Sequence, residues 1–242
     1  MQSVDTIVVK IAIHQPQYFP WPPYVHKVMS ADIFVYLDTV QFSKNGVQNR
    51  NQIKTSQGAQ WLTIAVKHEL GRSIRDTPLA SASATVKHWK TLQASYARTP
   101  GFQRWKDELH GLLYQEYQTL DEVAIASTEW MIDKLGISNK RLRASEIPGA
   151  NGRASELVAS ICEALEGDQY LTGTGALAYL QAEDFKRIDC EVLVQRWQPF
   201  SYNQAHDDFT PDLSTLDLLL NEPDKATELI ETAGSWEALE SV

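Results

Sequence analysis

Two short apolar stretches, Ile11-Ala12-Ile13 and Ile33-Phe34-Val35-Tyr36-Leu37, decide the fold class of this chain. Continuous apolar runs of this length are typical of parallel strands that are buried on both faces. About twenty residues separate the two runs, which is enough for a helix that crosses from one strand to the next. Pro22 and Pro23 suit the first turn of that helix, where no backbone N–H is needed. The stretch therefore predicts a β-strand–helix–β-strand unit.

The rest of the chain alternates between strand-like and helix-like patterns. The pattern predicts a single α/β domain over residues 1–242, with a mainly parallel sheet that has helices on both faces, plus a helical insert at about residues 86–145. Further strands are expected at residues 61–66, 170–172 and 191–194. Further helices are expected near residues 89–96, 105–113, 123–135, 158–165, 213–221 and 226–239.

The composition excludes several classes of protein. With 22 Lys and Arg against 31 Asp and Glu, the chain has a formal net charge of -9, which disfavours general binding to nucleic acid or anionic membranes. No apolar run approaches the roughly 18–20 residues of a membrane span, and residues 1–10 do not resemble a secretory signal. We therefore expect a cytoplasmic protein. Cys162 and Cys190 are too few and too separated for a zinc cluster or a disulfide framework.

A dense polar and aromatic cluster follows the first strand, from His14 to Lys27. Ligands of open α/β sheets bind beyond the carboxyl ends of the strands, where His14 is expected. His26 would lie one turn into the following helix. The prolines make this loop stiff, which suits a site that holds groups in place before a reaction. Both histidines also fit an ordinary structural role.

A second polar cluster follows the second strand, at residues 38–54. It contains Lys44, Arg50 and Lys54, and an arginine can hold a phosphate or carboxylate through two parallel hydrogen bonds. In an acidic protein this local positive set favours an anionic ligand, although a solvated loop is also consistent with it. Asp38 could bind Mg²⁺ or a sugar hydroxyl, or it could form an Asx turn.

A third candidate is the turn at residues 172–175, Thr-Gly-Thr-Gly, which follows a predicted strand. Glycines and hydroxyls in this position resemble a turn that cradles phosphate, but the complete dinucleotide-binding pattern and the Walker lysine are absent. A plain tight turn is the alternative. Near the end of the chain, Asp212 or Ser214 is expected to cap a helix. The sequence also lacks the GxSxG, HExxH and CxxC motifs.

These clusters resemble the WbqC family along nearly the whole chain. The matching residues are Ile13 to Trp21, Tyr24, His26-Lys27, Leu37-Asp38, Val40 to Lys44, Gln48 to Asn51, Tyr170-Leu171, Gly173, Tyr202, Gln204, Pro211 to Ser214, Asp217 and Asn221. Pro22-Pro23 and Val47 depart from the family pattern. The resemblance implies a bacterial protein encoded with surface-polysaccharide genes. It also implies a reaction on amino sugars, such as attachment of an amino-acid-derived acyl group.

The run from Tyr18 to His26 is also similar to the loop of nucleotidyltransferase-like α/β enzymes such as pantothenate synthetase. In that loop two histidines of an HxGH pattern contact the phosphates of ATP. Here His26 corresponds to the second histidine, Pro23 occupies the position of the first, and His14 would have to replace it. The similarity implies a nucleotidyltransferase-like sheet and amide-bond formation at the expense of ATP.

Our leading hypothesis is an enzyme of surface-polysaccharide (O-antigen type) biosynthesis. It would be an acyl or aminoacyl transferase, or an ATP-dependent amide-forming ligase, acting on a nucleotide-linked amino sugar. ATP with Mg²⁺ is the candidate cofactor, and no residue is assigned to a resident metal. The expected catalytic residues are His14, His26, Lys44 and Arg50. The expected substrate-binding residues are Gln15, Gln17, Tyr18, Trp21, Asp38, Gln41, Asn49, Asn51, Lys54, Thr172, Gly173, Tyr202 and Gln204.

Two alternatives remain open at the level of sequence. One is a glycosyltransferase-like enzyme that uses a sugar nucleotide, with Asp38 holding a divalent metal. The other is a non-catalytic protein that binds a sugar nucleotide. In all three cases the partner is a small nucleotide or sugar nucleotide, not a nucleic acid, and no membrane insertion is involved.

Overall fold

The computed structural model describes residues 8–44, 46–206 and 208–239. The strands are β1 (Lys10–His14), β2 (Ile33–Tyr36), β3 (Arg50–Thr55), β4 (Gly58–Thr63), β5 (Lys140–Arg143), β6 (Gln169–Thr172), β7 (Glu191–Trp197) and β8 (Gly234–Ala238). The helices are α1 (Pro22–Ser30), α2 (Val86–Tyr96), α3 (Pro100–Tyr114), α4 (Leu120–Lys134), α5 (Ala154–Ala164), α6 (Ala182–Lys186), α7 (Thr215–Asn221) and α8 (Ala226–Ala233). Within these ranges no helix has both the length and the apolar character to cross a bilayer.

A six-stranded sheet forms the centre of the molecule, in the order β5-β2-β1-β6-β7-β8. The first five strands in this order are parallel, and β8 runs antiparallel to β7. Ile11 of β1 pairs with Ile33 on one side and Tyr170 on the other. The chain moves outward from β1 through β2 to β5 and then returns to the other side of β1. The strand order therefore reverses between β1 and β6, which makes this pair the topological switch point.

Both faces of the sheet are covered, as the continuous apolar runs predict. Ile11 and Ile13 pack with residues of α5 on one face. Ala12 and Phe34 pack with residues of α1 and α4 on the other face. Because successive strand residues point to opposite faces, a strand covered on both sides must be apolar at every position. This confirms the α/β fold with helices on both faces.

A third apolar cluster lies beside the sheet and joins the helical region to the β3–β4 hairpin. Ile53 and Leu62 of the hairpin pack in it with Leu92 of α2, Leu109 of α3 and Leu216 of α7. Helices α2, α3 and α4 fall within residues 86–145, where the helical insert is expected. This layer closes over the loop that follows β1.

The strand expected at residues 61–66 begins and ends three residues earlier, and it lies outside the main sheet. β4 runs from Gly58 to Thr63 and pairs only with β3, antiparallel, in a separate two-stranded sheet. The tight turn between the two strands ends at Gly58, whose φ of 93° favours glycine. β3 was not predicted because only Ile53 among its residues 50–55 is strongly apolar.

Two edge strands of the main sheet also differ from expectation. β5, with the sequence Lys-Arg-Leu-Arg, was not predicted because a charged edge strand lacks an apolar run. The helix expected at residues 226–239 ends at Ala233, and the chain continues as β8. Gly234 marks this change, since its backbone becomes extended there.

Candidate functional site

A cavity of about 1080 Å³ opens at the carboxyl ends of β1 and β6, on the topological switch point. His14 at the end of β1 and Thr172 at the end of β6 both line it. The N-terminal turn of α1, the β3–β4 hairpin and the loop residues Ser43, Gly46, Val47 and Gln48 contribute the other walls. This is the position at which open α/β sheets bind their ligands. The cavity is therefore the candidate functional site.

The loop between β1 and α1 is held rigidly at the edge of this cavity. Phe19 adopts a φ of 44°, which is unusual for a residue other than glycine. Its N–H donates to Ser127 Oγ (3.0 Å), while its carbonyl accepts from Asn51 Nδ2 (2.8 Å) and Ser214 Oγ (2.6 Å). Strained backbone persists only where several neighbours fix it, and it is concentrated at functional sites. The three hydrogen bonds therefore preorganise the loop.

Glutamine side chains form one polar wall of the cavity. Gln48 Nε2 donates to Gln15 Oε1 (2.6 Å), and Gln48 Oε1 accepts from the backbone N–H of Ser43 (2.9 Å). Gln17 also lines the cavity and is buried, and its Oε1 has no hydrogen-bond partner in the described part of the chain. An unsatisfied buried acceptor of this kind costs free energy until a ligand supplies a donor.

Lys27 supplies the positive charge of the cavity. Its side chain lines the cavity and is only 6% exposed. Its Nζ lies 6.0 Å from the centre of the Tyr24 ring, and a methyl group built on Gly173 would lie 3.6 Å from it. Within residues 8–44, 46–206 and 208–239 it makes no ion pair. Burial of the ammonium lowers the pKa of Lys27 from 10.5 to about 7.

His14 lies next to Lys27 but is not a second cation. Burial, together with the positive charge of Lys27, lowers the pKa of His14 from 6.5 to about 3. The imidazole is therefore neutral near pH 7. Its Nδ1 lies 3.1 Å from the carbonyl oxygen of Gln15, and its ring contacts the Tyr24 ring at 4.7 Å between centres. His14 can thus donate or accept a hydrogen bond, whereas Lys27, whose pKa is about 7, is partly protonated at this pH.

The turn after β6 faces these groups. Thr172, Gly173, Thr174 and Gly175 all line the cavity, and Thr172 is almost completely buried. A methyl group at Gly173 would make an ordinary van der Waals contact with Lys27 Nζ, so the turn and the amine are direct neighbours. The phosphate-cradling interpretation of this turn stays a prediction, and its position opposite Lys27 is consistent with it.

The three cations of the second cluster do not converge on the cavity. Lys44 is exposed and lies outside the lining. The Arg50 guanidinium lies 4.5 Å from the centre of the Trp61 ring, which itself lines the cavity. Lys54 is buried, and its Nζ donates to the carbonyl oxygens of His206 and Asp208. Arg50 is therefore close to the mouth of the cavity, whereas Lys54 anchors a loop.

His26 faces away from the cavity. It is buried, and its Nδ1 lies 2.9 Å from Gln195 Nε2. Its ring stacks on Trp236 at 5.5 Å, and a methyl group on Gly234 would lie 2.2 Å from ring atoms. These contacts pack α1 against β7 and β8. Burial lowers the pKa of His26, so the ring is favoured in its neutral form.

The other expected site residues divide into two groups. Those that line the cavity are Gln15, Gln17, Trp21, Asn51, Thr172 and Gly173. Those outside its lining make contacts that support the fold. Asp38 accepts from the backbone N–H (3.0 Å) and Oγ (2.6 Å) of Ser145. Asn49 Nδ2 donates to the Ile64 carbonyl (2.8 Å), and Gln41 bridges to Ser73.

Three further residues that were predicted to bind substrate, Tyr18, Tyr202 and Gln204, also make contacts that support the fold. Tyr18 is fully buried, and its hydroxyl shares a hydrogen bond with His88 Nδ1 (2.9 Å). Tyr202 donates to Asp217 Oδ2 (2.7 Å). Gln204 holds Thr210 through two hydrogen bonds, of 2.8 and 2.9 Å. Across the described ranges, no group of three or more His, Cys, Asp or Glu side chains is placed to hold a metal ion.

Lys27, Gln48, Trp61 and Gln195 line the cavity and were not predicted as site residues. A lysine on an amphipathic helix is normally solvated, so its charge alone gives no signal. The spacing does provide a signal, because Lys27 follows Pro23 by four residues and therefore lies on the same face of α1. Pro23 is close to the strand end where a ligand was expected.

Comparison with known proteins places the chain in a family. The sequence profile of the WbqC-like protein family matches residues 15–229. The chain belongs to the WbqC-like protein family. An uncharacterized protein of Mycobacterium tuberculosis (strain ATCC 25618 / H37Rv), Rv1507c, is 30% identical over 216 residues, which cover 88% of this chain and 93% of that protein. The WbqC-like region includes the cavity residues from Gln15 to Asp212.

Proposed function

We propose that this WbqC-like protein binds a nucleotide-linked amino sugar in the cavity and transfers an acyl group to its amine during bacterial surface-polysaccharide synthesis. The observation that supports this most directly is the amine of Lys27, which is buried without an ion pair among the described residues and lies at the switch point of the sheet. A buried cation is costly unless a counter-charge is supplied. The phosphate of a bound nucleotide would supply it.

The surroundings of Lys27 favour a phosphate over other anions. The N-terminal turn of α1 lines the same cavity, and the dipole of the helix favours negative charge there, although Pro22 and Pro23 have no N–H to donate. The hydroxyl and backbone groups of residues 172–175 lie opposite, in reach of the same ligand. A phosphate between these elements would be held by one charge and several neutral donors.

The size and the mouth of the cavity suit a sugar nucleotide. Pockets for small molecules typically have volumes of about 300–1000 Å³, so 1080 Å³ leaves room for a nucleotide and a sugar. Trp21 and Trp61 line the cavity and are 40% and 43% exposed. Large aromatic faces at the mouth can stack on a base or a sugar ring.

The proposed reaction needs an activated acyl donor. The sugar amine would form the C–N bond as the bond between the acyl carbon and its leaving group breaks, and the amine would lose one proton. Gln15, Gln17 and the neutral His14 can position the donor and the sugar by hydrogen bonds. If the donor is made from ATP and a carboxylate, the products include AMP and pyrophosphate. If it is supplied ready-made, no AMP forms.

Thermal-shift measurement and product analysis test this proposal. UDP-glucose, ADP and ATP are expected to raise the Tm of the protein, because ligands that bind only the folded state stabilise it. Incubation with an amino-sugar nucleotide and acyl donors should then give an N-acylated sugar. Stabilisation without any product would indicate the non-catalytic alternative. The absence of stabilisation by every nucleotide would contradict the proposal.

The affinity for UDP-glucose is expected to fall as the pH rises above about 7. Burial lowers the pKa of Lys27 to about 7 in the free protein, and a bound diphosphate would raise it again, so binding takes up a proton. Kd should then increase up to about tenfold per pH unit between pH 7 and the pKa of the complex. Titration calorimetry at pH 6 to 9 measures this. UDP-glucose is the suitable probe because its diphosphate has no terminal group that titrates near pH 6.

The matched variant for this experiment is Lys27→Arg. A guanidinium keeps its charge over the whole range, so the variant should show a nearly flat pH profile. A wild-type profile that is flat, or equal in both proteins, would contradict the assignment of the phosphate to Lys27.

A further inference from the structure

A shallow groove of about 40 Å³ continues from the edge of the main cavity. Trp21, Pro23, Trp197 and Asp212 line both, so the two spaces share a wall. The groove alone is lined by the aromatic rings of Phe200, Tyr202 and Phe209, among others. The rings follow one another at 5.9 Å from Trp197 to Phe200, 6.1 Å from Phe200 to Tyr202 and 5.7 Å from Tyr202 to Phe209.

Asp212 places a negative charge at the junction of the groove and the cavity. Its carboxylate makes no hydrogen bond or ion pair with any residue that the structure describes. The residue adopts a φ of 57°, a strained backbone conformation that Asp and Asn tolerate better than other side chains. The backbone that carries this carboxylate is thus of the strained kind that is concentrated at ligand sites.

The main cavity is lined by charges of opposite sign. Lys27 and Asp212 carry charge without an ion pair within the described ranges, whereas Arg196 is paired with Glu237 at 2.7 Å. A ligand that carries both an anionic and a cationic group would match this pair of charges, with the cation beside Asp212 at the groove. The carboxylate and the surrounding aromatic rings both attract an organic cation.

We propose that the groove binds an organic ammonium group, held by the carboxylate of Asp212 and the aromatic rings beside it. This deepens the proposed function and rests on it, because the ammonium would be the amine of the sugar whose phosphates lie at Lys27. The volume of 40 Å³ limits the occupant. One water molecule needs about 10–15 Å³, so the groove has room for an ammonium and the carbon that carries it, while the sugar ring stays in the main cavity.

The assignment also gives Asp212 a role in selectivity. An ammonium forms a charge-assisted hydrogen bond with the carboxylate, whereas a hydroxyl at the same position forms a hydrogen bond in which the donor is neutral. An exposed ion pair contributes modestly, so the amino sugar should bind about three- to fivefold more tightly than the corresponding neutral sugar. The same carboxylate would keep the ammonium close to the main cavity. Before acyl transfer the ammonium would release one proton to Asp212 or to solvent, and the resulting amine would release a second proton as the amide forms.

Saturation-transfer NMR titrations with methyl β-glucosaminide and methyl β-glucoside test this inference. The two probes differ by an ammonium in place of a hydroxyl at pH of about 6, and neither contains phosphate. We expect the glucosaminide to bind with a Kd in the mM range and about three- to fivefold more tightly than the glucoside. In Asp212→Asn, which keeps the tolerated backbone conformation, the ratio should fall to about one.

Asp208→Asn is the matched control, because Asp208 lies in the same loop region, also has a positive φ of 56°, and lines neither the groove nor the cavity. It should leave the ratio of affinities unchanged. Choline and the glucoside are then used as competitors of the bound glucosaminide. If choline displaces the glucosaminide, the result supports an ammonium subsite. If the glucoside displaces it and choline does not, the result contradicts an ammonium subsite.

The inference is overturned if the two glycosides bind equally, if Asp212→Asn keeps the preference, or if neither saturates at about 50 mM. Its failure is distinguishable from a failure of the proposed function. UDP-glucose contains no amine and reports on Lys27 alone, so its binding can persist when the preference for the amine is absent. A chain that prefers the glucosaminide but binds no nucleotide would contradict only the proposed function.

Discussion

Replacing Lys27 with methionine is expected to weaken UDP-glucose binding at pH 7 by about ten- to 100-fold, which is the usual contribution of a hydrogen bond to a charged group. Methionine retains the apolar stem of the side chain and removes the amine. No other unpaired cation lines the cavity in the described ranges, so no second charge can replace it. Titration calorimetry at pH 7 measures the loss.

The same substitution is expected to stabilise the free protein. The pKa of Lys27 is about 7 in the folded chain and about 10.5 when unfolded, so folding releases a proton between these values. The penalty for burying the ammonium is therefore largest below pH 7 and disappears as the pH rises towards 10.5. Lys27→Met should gain about 1–3 kcal/mol at pH 7, and Tm should rise by about 3–8 °C.

Lys44→Met is the matched control for this prediction. Lys44 is also a lysine of the site region, but it is exposed and does not line the cavity. The variant should change neither Tm nor UDP-glucose binding appreciably, because surface substitutions usually alter stability by less than about 0.5 kcal/mol. A Lys27→Met protein that binds UDP-glucose normally, or that is less stable than the wild type, would contradict the account.

Gly101→Ala is expected to destabilise the fold by about 3 kcal/mol, at the upper end of the usual cost of overpacking. Gly101 lies near the start of α3, where a methyl group would approach within 2.2 Å of the Leu219 carbonyl oxygen and 2.8 Å of Leu220 Cα. Both atoms belong to the backbone of α7, so the contact can be relieved only by moving the helix. Urea denaturation measures the change.

Gly111→Ala, in the same helix, is expected to stabilise the fold. Nothing lies within 4 Å of a methyl group at this position, and the residue is exposed. Alanine is a better helix former than glycine, so this variant should gain about 0.5–1 kcal/mol. Equal effects of the two substitutions would contradict the close packing of α3 on α7.

The Gly101 contact also bears on the site. α7 begins after Ser214, whose hydroxyl accepts from the Leu216 N–H and donates to the Phe19 carbonyl. A displaced α7 would loosen the loop between β1 and α1. We therefore expect Gly101→Ala to weaken UDP-glucose binding as well, although Gly101 lies in a different helix from every group that would contact the ligand.

The fold was predictable from the sequence where burial of a segment requires a simple pattern of apolar residues. β1 and β2 are covered on both faces, so their apolar runs were sufficient to identify them. β5 is charged and β3 is largely polar, so neither has an apolar run that identifies it as a strand. Each becomes a strand by pairing with residues elsewhere in the chain, and a local sequence pattern does not predict such partners.

The cavity lies where the sequence predicts a ligand site, but only part of the predicted residue set lines it. A ligand site was expected at the carboxyl end of β1, because open α/β sheets bind ligands at that edge, and the cavity opens there. The expectation that Arg50 and Lys54 converge there treated residues 38–54 as one loop. Residues 50–55 form a strand, in which Arg50 and Lys54 lie on the same face but about 13 Å apart, and Lys54 Nζ is held by the carbonyls of His206 and Asp208.

The charge at the site was the least predictable property. His14 is close to the expected position, but burial and the charge of Lys27 keep it neutral. Lys27 lies at the cavity because its amine is enclosed by the end of β6 as well as by its own helix, and this enclosure lowers its pKa to about 7. That enclosure depends on residues about 145 positions later in the chain, which no local pattern could reveal.

A crystal structure of the protein with UDP-glucose tests the central claim most directly. The account predicts that the diphosphate lies between Lys27 Nζ and the turn at residues 172–175, within hydrogen-bond distance of the amine. A diphosphate bound elsewhere, with Lys27 making no contact to it, would contradict the account.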